Sequence, residues 1–261
     1  MSFQRHTFKH DGLVLSYLDT GPSPSSSSRP PLVALHAHLM QGSTYAALAA
    51  SLAPDYRVIA PDQRGHGESD HAATYAREDY LGDIDALLGL LDLPQVVLLG
   101  NSLGGVNAYQ YAARNAERVK ALIIEDVGAV VTDDISFILP WQGSFATREA
   151  LELKIGARLL PYFSESFRLS DAGWHLAFDP REMVRSQQNL VGDHWADWLA
   201  STCPALVMRG RESRVTSKEH MEEMAQRRPH AHLLVLDGGH ALHADNPGAF
   251  NAVVRGFLDS L

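Results

Sequence analysis

The sequence has a single cysteine, Cys203, among its 261 residues. No disulfide within the chain is possible, which fits a reducing compartment, and we expect Cys203 to be a buried structural thiol. No apolar run approaches the roughly 20 residues that are needed to cross a bilayer. Residues 1–10 are polar and contain no apolar h-region, so we expect no signal peptide and a cytoplasmic location.

Clusters of basic residues are also missing. The chain carries 22 lysines and arginines against 31 aspartates and glutamates, which gives a formal charge of −9. An acidic surface repels nucleic acid and anionic lipid, so we expect no nucleic acid and no membrane among the partners. The expected partner is a small, neutral or apolar molecule, and the oligomeric state stays open.

Short apolar segments alternate with segments of helical periodicity. The strand-like segments are 3–8, 13–19, 32–36, 57–61, 95–99, 119–126, 205–208 and 233–236. The helix-like segments are 44–53, 78–91, 103–115, 217–228 and 246–261. An Asp11-Gly12 turn joins the first two strands, and a loop rich in serine and proline covers 21–31. The alternation predicts an α/β protein with a parallel sheet that is covered by helices on both faces.

Residues 129–200 interrupt this alternation. They are helical in tone and contain all four tryptophans: Trp141, Trp174, Trp195 and Trp198. We interpret 129–200 as a helical cap insertion over the sheet, with 1–128 and 201–261 as the core domain. Most aromatic side chains of the insertion are expected to form its own core, and some to line an apolar pocket.

The strongest chemical signal is the G-x-S-x-G sequence Gly100-Asn101-Ser102-Leu103-Gly104. It stands between an apolar strand and a helix, where a strained turn projects the serine hydroxyl from the carboxyl edge of a sheet. The structural alternative is an ordinary glycine-rich turn that binds an anion at the helix N-terminus. We interpret Ser102 as a nucleophile, which needs a base within hydrogen-bond reach.

Five stretches carry a family resemblance: His36-Ala37, 62–70 (D-Q-R-G-H-G-E-S-D), 100–105, Asp126 and Gly239-His240. Together they resemble the α/β-hydrolase superfamily over nearly the whole chain. The closest likeness is to small bacterial carboxylesterases and thioesterases with a helical cap. The resemblance implies an α/β-hydrolase fold, with an eight-stranded, mostly parallel sheet flanked by helices. It makes the 62–70 loop a family marker with a structural role.

The family order of catalytic residues is serine, acid, histidine, with the histidine after the last strand. His240 follows the last strand in the segment Asp237-Gly238-Gly239-His240. Its nearest rival, His243, lies one turn further on. His243 also lacks the preceding glycines that would let the chain bend back toward Ser102, so His240 is the preferred base.

The acid has more than one candidate. The resemblance implies a position three residues past Gly210, but Ser213 stands there, and a serine cannot supply the negative charge that steadies an imidazolium. The alternative in the family is the end of the preceding strand, where Asp126 stands. Asp126 is therefore the preferred acid, Glu212 is the alternative acid, and Glu125 is a further candidate.

The resemblance also implies two backbone N–H groups that bind an oxyanion. One belongs to Leu103, directly after the nucleophile. The other belongs to His38, in the loop after the third strand, where Ala37 replaces the usual glycine. His36-x-His38 is also a spacing of two metal ligands. Neither a carboxylate nor a third histidine stands near in sequence, so we expect no metal and no cofactor.

The expected activity is hydrolysis of a small carboxylic ester or thioester through an acyl-enzyme intermediate. Asn101, before the nucleophile, is also common in hydrolases that cleave carbon–carbon bonds of ring-fission products. Carbon–carbon hydrolysis or lactone opening on the same triad is therefore an alternative. A ligand receptor that keeps the triad and turns over slowly is an alternative from another class.

Overall fold

The computed structural model describes residues 3–22 and 29–261. Its strands are β1 (Gln4–His10), β2 (Leu13–Asp19), β3 (Leu32–Leu35), β4 (Val58–Asp62), β5 (Val96–Asn101), β6 (Val119–Glu125), β7 (Val130–Val131), β8 (Phe167–Ser170), β9 (Gly173–Leu176), β10 (Gly192–Asp193), β11 (Ala205–Gly210) and β12 (Ala231–Leu236). Its α-helices are α1 (Ala46–Leu52), α2 (Arg77–Leu90), α3 (Leu103–Arg114), α4 (Arg148–Ile155), α5 (Leu160–Phe163), α6 (Pro180–Leu190), α7 (Trp195–Ala200), α8 (Lys218–Arg227), α9 (Leu242–Asp245) and α10 (Pro247–Asp259). Part of the loop predicted at 21–31 lies outside the described residues.

Eight of the strands form one sheet in the order β1-β2-β4-β3-β5-β6-β11-β12. β1 and β2 pair antiparallel across the predicted turn, where Asp11 and Gly12 have φ of 49° and 77°. β2 also runs antiparallel to β4, whereas the other neighbours in the sheet run parallel. The structure therefore confirms the eight-stranded, mostly parallel sheet.

Alternation along the central strands divides the core into two layers. In β3, Leu32 and Ala34 share one cluster with side chains of α1 and α10. Val33 and Leu35 share the other cluster with side chains of α2 and α3. All four positions are buried, as expected for a parallel strand with both faces covered. Because β3, β5 and β6 are parallel neighbours, their carboxyl ends meet at one edge of the sheet.

The segment 129–200 leaves the sheet after β6 and returns before β11. Its two ends pair with each other, since Val131 lies opposite Gly192 in the antiparallel β7–β10 ribbon. It contains α4 to α7, and α7 packs against α3, the helix that follows β5. It also contains the antiparallel hairpin β8–β9, a β-element that the prediction of a helical cap did not include. The division of the chain into a core and a cap stays a prediction.

Two smaller expectations also have outcomes. Cys203 is half-buried rather than buried, and its Sγ accepts a hydrogen bond from Arg228 at 3.3 Å. Most aromatic side chains of the 129–200 segment are buried or half-buried, whereas Phe137 is 54% exposed.

In the described part of the chain, no helix combines the length and hydrophobicity that a membrane span requires.

Candidate active site

Ser102 lies at the turn between β5 and α3 and is half-buried. Its φ of 52° and ψ of −116° are strained for a residue that has a side chain. The glycines on either side make this turn possible. A Cβ on Gly100 would lie 2.2 Å from the Gly104 carbonyl carbon, and a Cβ on Gly104 would lie 2.1 Å from the Leu35 carbonyl oxygen. The geometry is the strand–turn–helix arrangement that presents a nucleophilic serine.

Asp126 directly follows β6 and is fully buried. Its carboxylate accepts hydrogen bonds from the Gly210 N–H at 3.2 Å, the Thr216 hydroxyl at 2.9 Å and the Ser213 hydroxyl at 2.5 Å. The fourth donor is Nδ1 of His240, which lies 2.8 Å from Oδ2. These four donors satisfy a carboxylate whose burial would otherwise be costly.

His240 is held to Asp126 through one ring nitrogen, and 31% of its side chain is exposed. Because a carboxylate only accepts, Nδ1 carries the proton and Nε2 is the basic nitrogen of the neutral ring. Asn101 links the backbone of His240 to β5, since its Nδ2 donates to the carbonyls of His240 and Glu125, each at 3.0 Å. The Ser102 N–H donates to the same Glu125 carbonyl at 3.2 Å. The structure thus brings Asp126, His240 and the strand of Ser102 together.

Opposing effects act on the pKa of His240. Burial lowers the pKa, whereas the hydrogen bond and the charge of Asp126, together with the charges of Glu125 and Asp133, raise it. The net effect places the pKa above the ordinary value of 6.5. A higher pKa makes the neutral ring a stronger proton acceptor, but the ring is protonated, and unable to act as a base, up to a higher pH.

Glu212, the alternative acid, is bonded to the backbone of Gly238. Its side chain is exposed and accepts a hydrogen bond from the Gly238 N–H at 2.6 Å. The Glu212 N–H in turn donates to the Gly238 carbonyl at 3.0 Å. Glu212 therefore closes the loop that precedes His240, while the ring of His240 is bonded to Asp126.

The rival histidine and the further candidate acid pair with each other. Glu125 Oε1 accepts hydrogen bonds from the His243 N–H at 3.0 Å and from its Nδ1 at 2.9 Å. The side chains of Glu125 and His243 are 0% and 1% exposed. Nε2 of His243 lies 2.9 Å from the Thr44 hydroxyl. We name Asp126–His240 the outer pair and Glu125–His243 the inner pair.

The two predicted oxyanion donors follow neighbouring strands of the sheet, Leu103 after β5 and His38 after β3. The Leu103 N–H belongs to the first turn of α3, where N–H groups have no partner within the helix. His38 follows β3, and its Nε2 lies 2.8 Å from the Ser186 hydroxyl on α6. The same hydroxyl lies 2.7 Å from the Tyr80 hydroxyl. The ring of His38 thus faces the 129–200 segment, and the oxyanion role of its backbone N–H stays a prediction.

Three buried histidines lie close together beside the loop that follows β3. Burial lowers the pKa of His36 to about 4, that of His38 to about 3 and that of His66 to well below 6.5. In His36, Nδ1 donates to the Ala37 carbonyl at 2.7 Å and Nε2 accepts from the Gln63 N–H at 2.9 Å. Both ring nitrogens of His36 are therefore bonded to backbone, one in the loop after β3 and the other in the 62–70 loop. Within residues 3–22 and 29–261, no three potential ligand side chains are grouped as a metal site would require.

The 62–70 loop makes contacts that brace it against neighbouring elements. Asp62 Oδ1 accepts a hydrogen bond from the Gly42 N–H at 2.7 Å. Arg64 reaches across to α2 and pairs with Asp83 at 2.7 Å. These contacts hold the chain between β4 and α2 in place beside the site, and they are structural in character.

The sequence analysis missed two hydroxyls that donate to the Asp126 carboxylate. Ser213 stands at the position where the family usually has its acid, and its hydroxyl donates to Asp126. Thr216, three residues later, donates to the other carboxylate oxygen. Replacement of the usual acid by Ser213 was the one visible signal, because a serine can serve a carboxylate that comes from a neighbouring strand.

A family model described as the alpha/beta hydrolase family matches residues 32–253. The 2-(acetamidomethylene)succinate hydrolase of Mesorhizobium japonicum is 25% identical over 248 residues, which cover 89% of each chain. The 2-hydroxymuconate semialdehyde hydrolase of a Pseudomonas species is 29% identical over 237 residues, or 79% of this chain and 78% of that one. A putative esterase/lipase of Haemophilus influenzae is 23% identical over 245 residues, or 88% of this chain and 83% of that one.

A solved structure of E-2-(acetamidomethylene)succinate hydrolase has a TM-score of 0.85 and 22% identity. The similarity covers 98% of this chain and 99% of that chain, and at this identity it shows the fold. The family model spans the sheet from β3 and extends into α10. The chain therefore belongs to the alpha/beta hydrolase family.

Proposed function

We propose that this chain is a serine hydrolase that cleaves a small carboxylic ester or thioester, with Ser102 as nucleophile, His240 as base and Asp126 as acid. The observation that carries the proposal is the 2.8 Å hydrogen bond between His240 Nδ1 and Asp126, at the sheet edge where Ser102 occupies its strained turn. A ring bonded in this way keeps Nε2 as the proton acceptor.

In the acylation half of the reaction, Ser102 Oγ attacks the carbonyl carbon while its proton passes to His240 Nε2. The negative charge of Asp126 stabilises the imidazolium that forms. The backbone N–H groups of Leu103 and His38 donate to the oxyanion of the tetrahedral intermediate. When this intermediate collapses, the bond to the leaving group breaks. His240 then gives its proton to the departing alkoxide or thiolate.

In the deacylation half, water attacks the acyl carbon of the ester on Ser102. His240 Nε2 takes a proton from the water and then returns it to Ser102 Oγ as the bond between Oγ and the acyl group breaks. The products are a carboxylic acid and the regenerated serine. Water is the only co-reactant of these steps.

The substrate class rests on the charge of the molecule and on the relatives. The formal charge of −9 disfavours polyanionic partners, so we infer a small-molecule substrate that presents an uncharged ester. One relative is named a putative esterase/lipase, which agrees with an ester substrate. A hydrolase of this kind recognises its acyl group mainly through apolar contacts.

The experiment is hydrolysis of p-nitrophenyl esters from acetate to octanoate by the wild type, Ser102→Ala and a matched serine control. The control is Ser51→Ala, which changes an exposed serine on α1. The wild type and the control should show the same turnover and the same dependence on acyl length. Ser102→Ala should lose about 10³-fold or more in kcat. Turnover that persists in purified Ser102→Ala would refute the assignment of the nucleophile.

Carbon–carbon bond hydrolysis is the second candidate, because one relative is named 2-hydroxymuconate semialdehyde hydrolase and Asn101 precedes the nucleophile. Asn101 donates to the carbonyls of His240 and Glu125, a role that serves either chemistry. Asn101 alone therefore does not choose between them. Absence of ester turnover from folded wild type, with Ser102 still labelled by a serine-directed phosphonylating reagent, would favour this candidate.

A further inference from the structure

The inner pair lies where the three parts of the proposed triad meet. The Glu125 carbonyl accepts the Ser102 N–H at 3.2 Å and Asn101 Nδ2 at 3.0 Å. The Glu125 carboxylate accepts both donors of His243, which is three residues beyond His240. One residue thus links the nucleophile turn, the strand that precedes the acid and the loop that carries the base.

Strand alternation explains why the inner pair points away from the outer one. Ile123, two residues before Glu125 in β6, belongs to the cluster shared with α1 and α10. Glu125 therefore faces the same layer, where the ring of His243 lies 4.8 Å from that of Tyr45 and 5.9 Å from that of Phe250. Enclosed by these rings and bonded to a threonine hydroxyl, His243 has no exposed nitrogen for a substrate.

The inner pair also acts on the outer one through charge. The carboxylates whose charges act on His240 are Asp126 and Glu125 at the end of β6 and Asp133 beyond β7. Each of these carboxylates favours the imidazolium form of His240, and Asp126 has the largest effect. The imidazolium is the form that His240 takes in the transition state of the proposed reaction, so charge at Glu125 favours catalysis.

We propose that Glu125 and His243 are a positioning pair, which holds the His240 loop against β5, and that the Glu125 carboxylate also favours the imidazolium form of His240. The proposal rests on the proposed function for its catalytic meaning. Neither residue touches substrate. The proposal has two halves. The geometric half, in which the pair holds the His240 loop in place, depends on the His243 contacts. The electrostatic half, in which the pair favours the imidazolium of His240, depends on the charge of Glu125.

The electrostatic half is tested by titrating His240 directly, with ring-labelled histidine and NMR, in a set of variants. The His240 signal is assigned by its loss in His240→Gln. Glu125→Gln keeps an acceptor for His243 but removes the charge, so the titration midpoint of His240 should fall by about 0.5 to 1 pH unit. Glu125→Asp keeps the charge and shortens the reach, so its midpoint should stay close to that of the wild type. Glu117→Gln removes an exposed carboxylate just before β6, at the opposite end of that strand from Glu125, and should leave the His240 midpoint unchanged.

The geometric half is tested with His243→Asn, whose side-chain amide can occupy the position of Nδ1 but lacks the ring that packs on Tyr45 and Phe250. We expect kcat for a p-nitrophenyl ester to fall about 3- to 10-fold and KM to stay within about two-fold, because the base is displaced while the acyl site is intact. A His240 midpoint that is unchanged in Glu125→Gln overturns the proposal, and so does wild-type kcat in His243→Asn. Failure of the proposed function would instead show as turnover in Ser102→Ala, a result that leaves the NMR titration unaffected.

Discussion

The outer and inner pairs are the same two chemical groups in two different settings. In both, a carboxylate at the end of β6 accepts a hydrogen bond from Nδ1 of a histidine. In the outer pair, 31% of the histidine side chain is exposed. In the inner pair, 1% is exposed, and the second ring nitrogen is bonded to Thr44.

The environment of Nε2, the ring nitrogen that is not bonded to the carboxylate, therefore decides what a carboxylate–histidine pair can do. A ring with an accessible Nε2 can accept a proton from a nucleophile. A ring that is bonded at both nitrogens and enclosed by aromatic side chains can only hold its neighbours in place. We therefore expect changes in the outer pair to affect turnover most, and changes in the inner pair to affect stability most.

The largest effect is expected from Asp126→Asn, which tests the outer pair. An amide at this position removes the charge that stabilises the imidazolium and lets the ring adopt the wrong tautomer. We expect kcat to fall about 10³- to 10⁴-fold with little change in the thermal midpoint of unfolding. The measurement is ester turnover beside circular dichroism. Retained activity here, with loss in Glu212→Gln, would move the acid role to Glu212.

The reverse pattern is expected for the inner pair. His243→Ala leaves the buried Glu125 carboxylate without its ring partner, at a cost of about 3 kcal/mol in the free energy of unfolding. His240→Ala should cost about 1 kcal/mol or less, since Asp126 keeps the Gly210, Thr216 and Ser213 donors. Urea unfolding of both variants measures the contrast. An equal loss of stability in the two would erase the distinction between the pairs.

The pH dependence of activity should follow the protonation of His240 in the outer pair. The proposed base works only when neutral. Burial lowers the pKa of His240, but Asp126, with smaller contributions from Glu125 and Asp133, raises it above 6.5. Activity should therefore fall as the pH decreases through a value above 6.5. The measurement is kcat/KM against pH for one ester. A flat profile from about pH 5 to 8 would exclude His240 as the base.

The smallest effects are expected from the hydroxyls that support each pair. Thr216→Val removes one donor from Asp126 and should lower kcat about 2- to 5-fold. Thr44→Val removes the hydroxyl from His243 and should leave kcat within about two-fold of the wild type. Both are measured on the same ester under the same conditions. A larger kcat loss in Thr44→Val than in Thr216→Val would reverse the comparison.

The elements closest to the nucleophile could be predicted because their signals are local. The G-x-S-x-G sequence required glycines where a Cβ would collide with backbone, and the structure places such contacts at Gly100 and Gly104. Periodicity predicted the strands of the sheet and the helices that cover it to within a few residues. One of the predicted helices, 44–53, begins instead with a 3-10 turn at Gly42–Tyr45 before α1.

The inner pair could not be predicted, because its partners are 118 residues apart and neither has a motif around it. In the sequence, Glu125 and His243 each appeared only as a rival candidate for the role proposed for Asp126 or His240. The β8–β9 hairpin was missed for a different reason. Its strands are four residues each, too short for a clear period, although Gly173 with φ of 109° follows a polar Ser170-Asp171 step that favours a turn.

The central claim is that Ser102 is activated through the outer pair, and covalent trapping tests it most directly. The wild type is treated with a fluorophosphonate, and the modified peptide is identified by mass spectrometry. Attack of Ser102 Oγ on phosphorus expels fluoride and leaves a stable adduct, while His240 takes the proton. We expect one adduct, on Ser102, which forms at least about 100-fold more slowly in Asp126→Asn. No adduct from folded protein, or an adduct on another residue, would contradict it.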